Sequence, residues 1–477
     1  MELNIGIDAI GYYVPQLMVS MKDLAEARNL PYDKLHLGLG LSAMAIPDKD
    51  EDAVSFAANA LIKLIEVNQI DPKTIGRVYL GTESAVDSSK PTATYAVGAV
   101  ERLLETNYGP RVFKNCDVVD MTFACVGAVD ALQNCLDWVR VDTKRKAVVI
   151  ASDVSKYDLN STGEYTQGAG AVALLISHEP SILSIADHWG VGMESVNDFF
   201  KPRREISKSE IIHDLKELLN IDDSQEVITQ KLHQSTSTFW SDRKATFELF
   251  KEEPVFEGQF SNQCYEARVS EALDHLSSQT SINYNQDWNH LIFHLPYAFH
   301  GRRIIFENWL KWVKDSDDMA TLESEIGSQQ EADPKEWQKL ARKSSIYKQF
   351  VSDRIAPSER ASSEIGNMYT ASIFMAFVSL LANALEHKLD LAGNKVGFIA
   401  YGSGSKSKVF QGVIQSNWLK KVNTLNLFVD LSSRQKASIK EYEDLHDLKT
   451  QTPLTTGGVR LKNITDQGDF KGFRNYL

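Results

Sequence analysis

Two runs of the chain decide its class: Ala147-Val148-Val149-Ile150-Ala151 and Ala171-Val172-Ala173-Leu174-Leu175-Ile176. Neither alternates polar with apolar side chains. A strand with one wet face shows that alternation, so these runs predict strands buried on both faces, as in a layered α/β fold. Upstream, Arg77-Val78-Tyr79-Leu80 reads as a short strand. Asp52 to Glu66 reads as a helix whose Val54, Phe56, Ala58, Leu61, Leu64 and Ile65 form a broad apolar face. Downstream the same ingredients recur: a strand at Leu291-Ile292-Phe293, a helix marked by Ile373, Phe377, Leu380, Leu381 and Ala384, and a strand from Lys395 to Ala400. The chain therefore divides into two halves of similar make-up, residues 1–180 and 181–477, without a residue-level repeat. Two polar, charged stretches, at about 203–253 and 315–343, are expected to be surface insertions or lids and not separate domains.

The 477 residues suffice for two or three domain-sized units, each with its own core. A formal net charge of -13 is the wrong sign for nonspecific binding to nucleic acid, which is not an expected partner. The four cysteines include no CxxC pair, and with the eleven histidines they form no ligand-spaced cluster, so neither metal nor redox cofactor is expected. The N-terminus carries no signal or transit pattern, and no apolar run reads as long enough to cross a bilayer. A cytoplasmic protein with no membrane partner is the expectation.

Four short apolar strands each lead into a cluster of polar or reactive residues. The clusters are Gly81-Thr82-Glu83-Ser84, Asp120-Met121-Thr122-Phe123-Ala124-Cys125, His294-Leu295-Pro296-Tyr297 and Tyr401-Gly402-Ser403-Gly404-Ser405. Layered α/β folds bind ligands at the carboxyl ends of their strands, so the four could converge. Cys125 precedes a helical pattern of Val129, Leu132, Leu136 and Val139, and a helix N-terminus stabilises a thiolate. Each residue also has a plainer reading. Cys125 could be a core thiol, Glu83 a surface carboxylate or helix cap, His294 a hydrogen-bonded core imidazole, and Gly402-Ser403-Gly404 an ordinary turn. Their functional readings are nucleophile, acid–base group, polarising imidazole and backbone donors to an oxyanion.

Taken in series, these motifs resemble 3-hydroxy-3-methylglutaryl-CoA synthases. Further stretches carry the likeness: Thr82 to Lys90, Thr166 to Ala173, Asp198-Phe199-Phe200-Lys201-Pro202, Ser261-Asn262-Gln263-Cys264-Tyr265 and Gly366-Asn367-Met368-Tyr369-Thr370. The resemblance implies a thiolase-like, five-layered αβαβα fold of two related halves, usually a homodimer. It implies that Cys125 accepts acetyl from acetyl-CoA and that the amides of Cys125 and Ser403, at the Gly402 turn, form the oxyanion hole. Glu83 would take a proton from the acetyl methyl. His294 would polarise the acetoacetyl thioester, with Asn367 on its acyl oxygens. Asp153 and Asp198 match supporting acidic positions, and Tyr297 lies in the histidine motif. The reaction implied joins acetyl-CoA, acetoacetyl-CoA and water into 3-hydroxy-3-methylglutaryl-CoA, a step of the mevalonate pathway to isoprenoids, with CoA thioesters as substrates and no cofactor.

The likeness breaks at two places. The family commonly has a lysine five residues after the histidine, where it helps to hold CoA; here that residue is Phe299, and Arg302 and Arg303 are the nearest cations. The insertion after Pro202 is long for the family. Two other readings follow from the same motifs. A polyketide β-branching synthase would run this reaction on an acceptor tethered to an acyl-carrier protein. A noncatalytic scaffold would have inherited the fold alone.

Overall fold

The computed structural model describes residues 4–242, 244–329 and 333–477. Its first half holds strands β1 (Ile5–Tyr13), β2 (Ile75–Gly81), β3 (Asp117–Met121), β4 (Lys146–Ser155) and β5 (Gly168–His178), with helices α1 (Ala53–Val67), α2 (Thr92–Tyr108) and α3 (Gly127–Val141). Its second half holds β6 (Leu183–Ile185), β7 (Gly190–Met193), β8 (His290–Phe293), β9 (Lys395–Gly402) and β10 (Lys406–Ile414), with α4 (Gly258–Gln279), α5 (Ser372–His387) and α6 (Ile439–His446). The strands run in the order β8-β9-β10-β6-β1-β5-β4-β2-β3, with β7 beside β10. The two halves are thus joined through hydrogen bonds of the short β6, which pairs with β1 on one side and β10 on the other.

The continuously apolar strands are buried on both faces for a visible reason. In β4, Val148 and Ile150 pack with α1 and α2, while Ala147, Val149 and Ala151 share a cluster with α3. That second cluster also takes in Phe374, Phe377 and Leu381 of α5 and Val269, Leu273 and Leu276 of α4. Helices α1 and α2, the first-half strands, α3 with α5, the second-half strands and α4 make the five layers of a thiolase-like fold. Asp52 caps α1 by accepting the N–H groups of Val54 and Ser55, which removes two orphan donors.

Three expectations need correction. Residues Phe199–Phe256 form a compact unit of their own, slightly wider than the expected insertion. Within it Arg204–Ser207 pairs with Thr246–Leu249, and Phe239 packs edge-on against Trp240 and Phe247, so an aromatic cluster gives this unit an interior. Arg243 in this stretch lies outside the described residues. The second polar stretch, 315–343, is no surface lid: Leu322 and Trp337 are fully buried in the main core, because its two helices are amphipathic. Positions 330–332 lie outside the described residues. One stretch, Tyr369–His387, is long and apolar enough to cross a membrane by composition, yet 83% of its most apolar window is buried inside the protein.

Close approach of β2 to α3 depends on Gly81. A Cβ there would lie 2.2 Å from the Ala128 backbone nitrogen, which cannot yield as a flexible side chain would. Gly81→Ala is expected to destabilise the fold by about 1–3 kcal/mol, read as a lower midpoint in urea melts. An unchanged midpoint would show that the two elements can separate.

Candidate active site

Strands β3, β2 and β4 are parallel neighbours, with Gly81 opposite both Met121 and Ala151. Their carboxyl ends therefore emerge at one edge, which brings together residues far apart in the sequence. Glu83 follows β2, Cys125 follows β3, and Asp153 stands near the end of β4. The Cys125 Sγ donates to Glu83 Oε1 at 3.0 Å. Cys125 is 7% exposed and Glu83 half-buried. The turn that presents the thiol is strained: Ala124 has φ +40°, a conformation that a residue with a Cβ rarely adopts. Beyond it α3 begins, and its Ala128 N–H donates to Thr370 Oγ1 at 2.8 Å.

Two buried carboxylates hold the surrounding loops. Asp153 Oδ1 accepts from Thr82 Oγ1 at 2.9 Å and from the Glu83 N–H at 2.8 Å, while its Oδ2 accepts from the Thr370 N–H at 3.1 Å. It thus ties the Glu83 backbone to the loop that follows Asn367. Asp198 accepts from the Tyr401 hydroxyl at 2.5 Å and from the Gly404 N–H at 2.7 Å, bracing the turn that carries Ser403. Gly402 lets this turn meet the thiol's turn: a Cβ there would lie 2.8 Å from the Phe123 oxygen and 2.9 Å from the Val126 nitrogen.

His294 joins the same cluster through two tyrosines. Tyr265 donates to the His294 carbonyl at 2.9 Å, stacks on Tyr401 at 4.4 Å and has its ring 6.2 Å from that of His294. A hydrogen bond links the His294 imidazole with the Tyr369 backbone, but burial dominates and pushes its pKa down to about 3. The ring is therefore neutral at physiological pH; the bond favours a proton on the ring, so its one N–H donates to the Tyr369 carbonyl and the other nitrogen is an acceptor. Asn367 Oδ1 accepts from the Tyr369 N–H at 2.8 Å and from Ser372 Oγ at 3.2 Å. A backbone donor requires an oxygen there, which fixes the amide orientation, and no described residue takes the Nδ2.

The two arginines near Phe299 differ. Arg302 is committed: it grips the Glu359 carboxylate with two donors, and its guanidinium lies 3.7 Å from the centre of the Phe299 ring. Arg303 donates to the Gly38 carbonyl at 2.6 Å and to the Tyr297 hydroxyl at 3.3 Å, and pairs with no carboxylate among the described residues. Burial raises the Tyr297 phenol's pKa, opposed by Arg303.

Sequence reasoning missed two phenols. Tyr157 and Tyr369 are buried, and their pKa values are pushed up first by desolvation and then by nearby negative charge, including that of Cys125 and Glu83. Tyr157 follows β4 in no motif that distinguishes it from a core tyrosine. Tyr369 lies inside a recognised motif, where Asn367 drew the attention.

Burial also depresses His300 well below the usual imidazole range. An imidazole kept neutral by the fold binds fewer protons than in the unfolded chain. Stability is thus expected to fall as pH drops from about 6.5 toward the folded pKa values. Urea melts from pH 7 to pH 4 should show that loss, and His300→Phe should lessen it; an equal loss in the variant would contradict the burial argument.

Comparison with known proteins bears on the whole chain. Residues 1–181 match the model of the hydroxymethylglutaryl-coenzyme A synthase N terminal region, and residues 244–471 that of the C terminal region. Most of the inserted unit thus falls between the two models. Hydroxymethylglutaryl-CoA synthase of Haloferax volcanii is 28% identical over 459 residues, covering 93% of this chain and 92% of the relative. The enzyme of the same name from Enterococcus faecalis is 28% identical over 441 residues, covering 92% and 91%. The solved structure of MvaS in complex with 3-hydroxy-3-methylglutaryl coenzyme A aligns with a TM-score of 0.76 at 27% identity, over 100% of this chain and 99% of that one. This chain belongs to the hydroxymethylglutaryl-CoA synthase family of condensing acyltransferases.

Proposed function

We propose that this enzyme condenses acetyl-CoA with acetoacetyl-CoA and water to give 3-hydroxy-3-methylglutaryl-CoA, through an acetyl thioester on Cys125. The observation that carries the site assignment is the thiol–carboxylate contact, 3.0 Å between Cys125 Sγ and Glu83 Oε1. Cys125 passes its proton to Glu83 and its sulfur attacks the acetyl carbonyl; the amides of Cys125 and Ser403 hold the oxyanion until CoA leaves, taking that proton as its thiol. A thioester acidifies its α-carbon, so Glu83 can take a methyl proton. The resulting carbanion attacks the ketone of the acetoacetyl group. The Asn367 Nδ2 stabilises charge on the acceptor's oxygens, the His294 ring orients the acceptor thioester, and the alkoxide recovers the proton from Glu83. Water then cleaves the Cys125 thioester and leaves a carboxylate on the product.

Arg303, free of carboxylate partners, would meet the CoA phosphates in place of the family's lysine. Phe299 at that position and the commitment of Arg302 to Glu359 favour, as a second reading, an acceptor held on an acyl-carrier protein. A homodimer is supported by β3, the outer strand of the sheet, which among the described residues pairs with β2 alone and leaves one edge open. A place in the mevalonate pathway, supported by the names of relatives, and a cytoplasmic location are part of this proposal.

Purified enzyme given both CoA thioesters is expected to release CoA and form product. Cys125→Ala should lower turnover on the order of 1000-fold or more. Product formed only when the acceptor is carrier-bound would favour the second reading. Wild-type inactivity with either acceptor would refute both.

Separately, Asp153→Asn places an amide donor against the Glu83 or Thr370 N–H. It is expected to lower kcat by about 10- to 100-fold in steady-state assays, because the Glu83 loop loses its anchor. Turnover within a factor of two of wild type would remove Asp153 from the site's support.

A further inference from the structure

One helix from the far end of the sequence holds the backbone of Tyr157. Helix α6 is started by a capping box between Ser438 and Glu441. Its Tyr442 and His446 are four residues apart, and so lie on one face. His446 Nε2 is 2.8 Å from the carbonyl oxygen of Tyr157. A carbonyl only accepts, so this nitrogen carries a proton. The other ring nitrogen faces the Asp447 carboxylate at 3.3 Å, and Asp447 is itself paired with Lys449 at 2.7 Å.

The amide side of Tyr157 is held as well. Its N–H donates to Gln167 Oε1 at 2.7 Å, and Gln167 Nε2 donates to the Tyr442 hydroxyl at 2.6 Å. That hydroxyl donates to Glu164 at 3.1 Å, and Glu164 accepts from Arg28 Nε at 2.9 Å and Nη2 at 2.7 Å. Helix α6 therefore grips Tyr157 on both sides, directly at the carbonyl and through Gln167 at the amide. Tyr157 stands two residues past the end of β4, at the sheet edge where Glu83 follows β2 and Cys125 follows β3, and its phenol is buried.

We propose that His446 is a positioning residue for the reaction, fixing the Tyr157 phenol against the Cys125–Glu83 pair by holding its carbonyl. The inference rests on the acetyl-cysteine reading of the site. Small displacements of a group beside the reacting atoms cost rate far more than binding. His446→Leu is therefore expected to lower kcat about tenfold while the KM for acetyl-CoA stays within about twofold. His446→Gln, whose amide nitrogen can donate where Nε2 does, should recover activity to within about threefold of wild type.

The decisive comparison is a double-mutant cycle. In a Tyr157→Phe background, His446→Leu should cost less than about twofold, because its effect runs through the phenol. A full tenfold loss in that background, or no loss in the wild-type background, would overturn the proposal. Should His446→Leu fail to fold, His446→Asn, with a shorter reach, against His446→Gln makes the same comparison. Acetylation of Cys125 in the wild type, followed in the same series, keeps the two failures apart. Its absence refutes the acetyl-cysteine reading, whereas its presence with fully active His446→Leu refutes only the positioning role.

Discussion

The parallel register of β3, β2 and β4 is the constraint on which the site depends. Gly81 stands opposite Met121 on one neighbour and Ala151 on the other, so three strand ends emerge level. A parallel strand slipped by one residue would turn its side chains to the other face of the sheet. The buried apolar set of β4 would then lose its partners on both sides. Hydrophobic packing thus enforces the register, and the register sets Glu83 against Cys125. Asp153, at the end of the third strand, converts this coarse placement into a fine one by hydrogen bonds to Glu83 and Thr370. The second half of the chain contributes from its own strand ends, His294 after β8 and Ser403 after β9.

Burial decides the chemistry of the groups so assembled. His294 is enclosed and neutral, so it presents a polar ring and not a fixed cation. The thiol is nearly enclosed beside a carboxylate, so a proton can pass between them with little solvent reorganisation. The left-handed turn at Ala124 and the close packing of Gly402 hold the backbone where no ordinary loop would rest. Local strain there is offset by the large core around α3 and α5, consistent with the tendency of such strain to collect at functional sites.

Much of this was legible in the sequence, for physical reasons. Continuous apolar runs such as Ala171 to Ile176 announce a two-sided strand, and reactive residues placed just after such strands announce a site. The roles of Cys125, Glu83 and His294 came from resemblance, since each residue taken alone had an ordinary alternative. What stayed hidden was tertiary. Tyr157 reads as core until its neighbours are known, and His446 gains meaning only from a contact spanning much of the chain. The polar stretch around Trp337 read as surface because its charges outnumber its anchors, although buried Leu322 and Trp337 tie it to the core. The joining of the halves through β6 rests on three residues, too short a strand for periodicity to reveal.

The central claim is that the Cys125–Glu83 pair generates a carbanion from a cysteine-bound acetyl group. Mass spectrometry of acetyl-enzyme held in deuterated water with no acceptor tests it most directly. The account requires methyl hydrogens to exchange in the wild type, and Glu83→Gln to carry the acetyl group on Cys125 without exchange. Exchange at the wild-type rate in the variant, or acetyl bound at another residue, would contradict it.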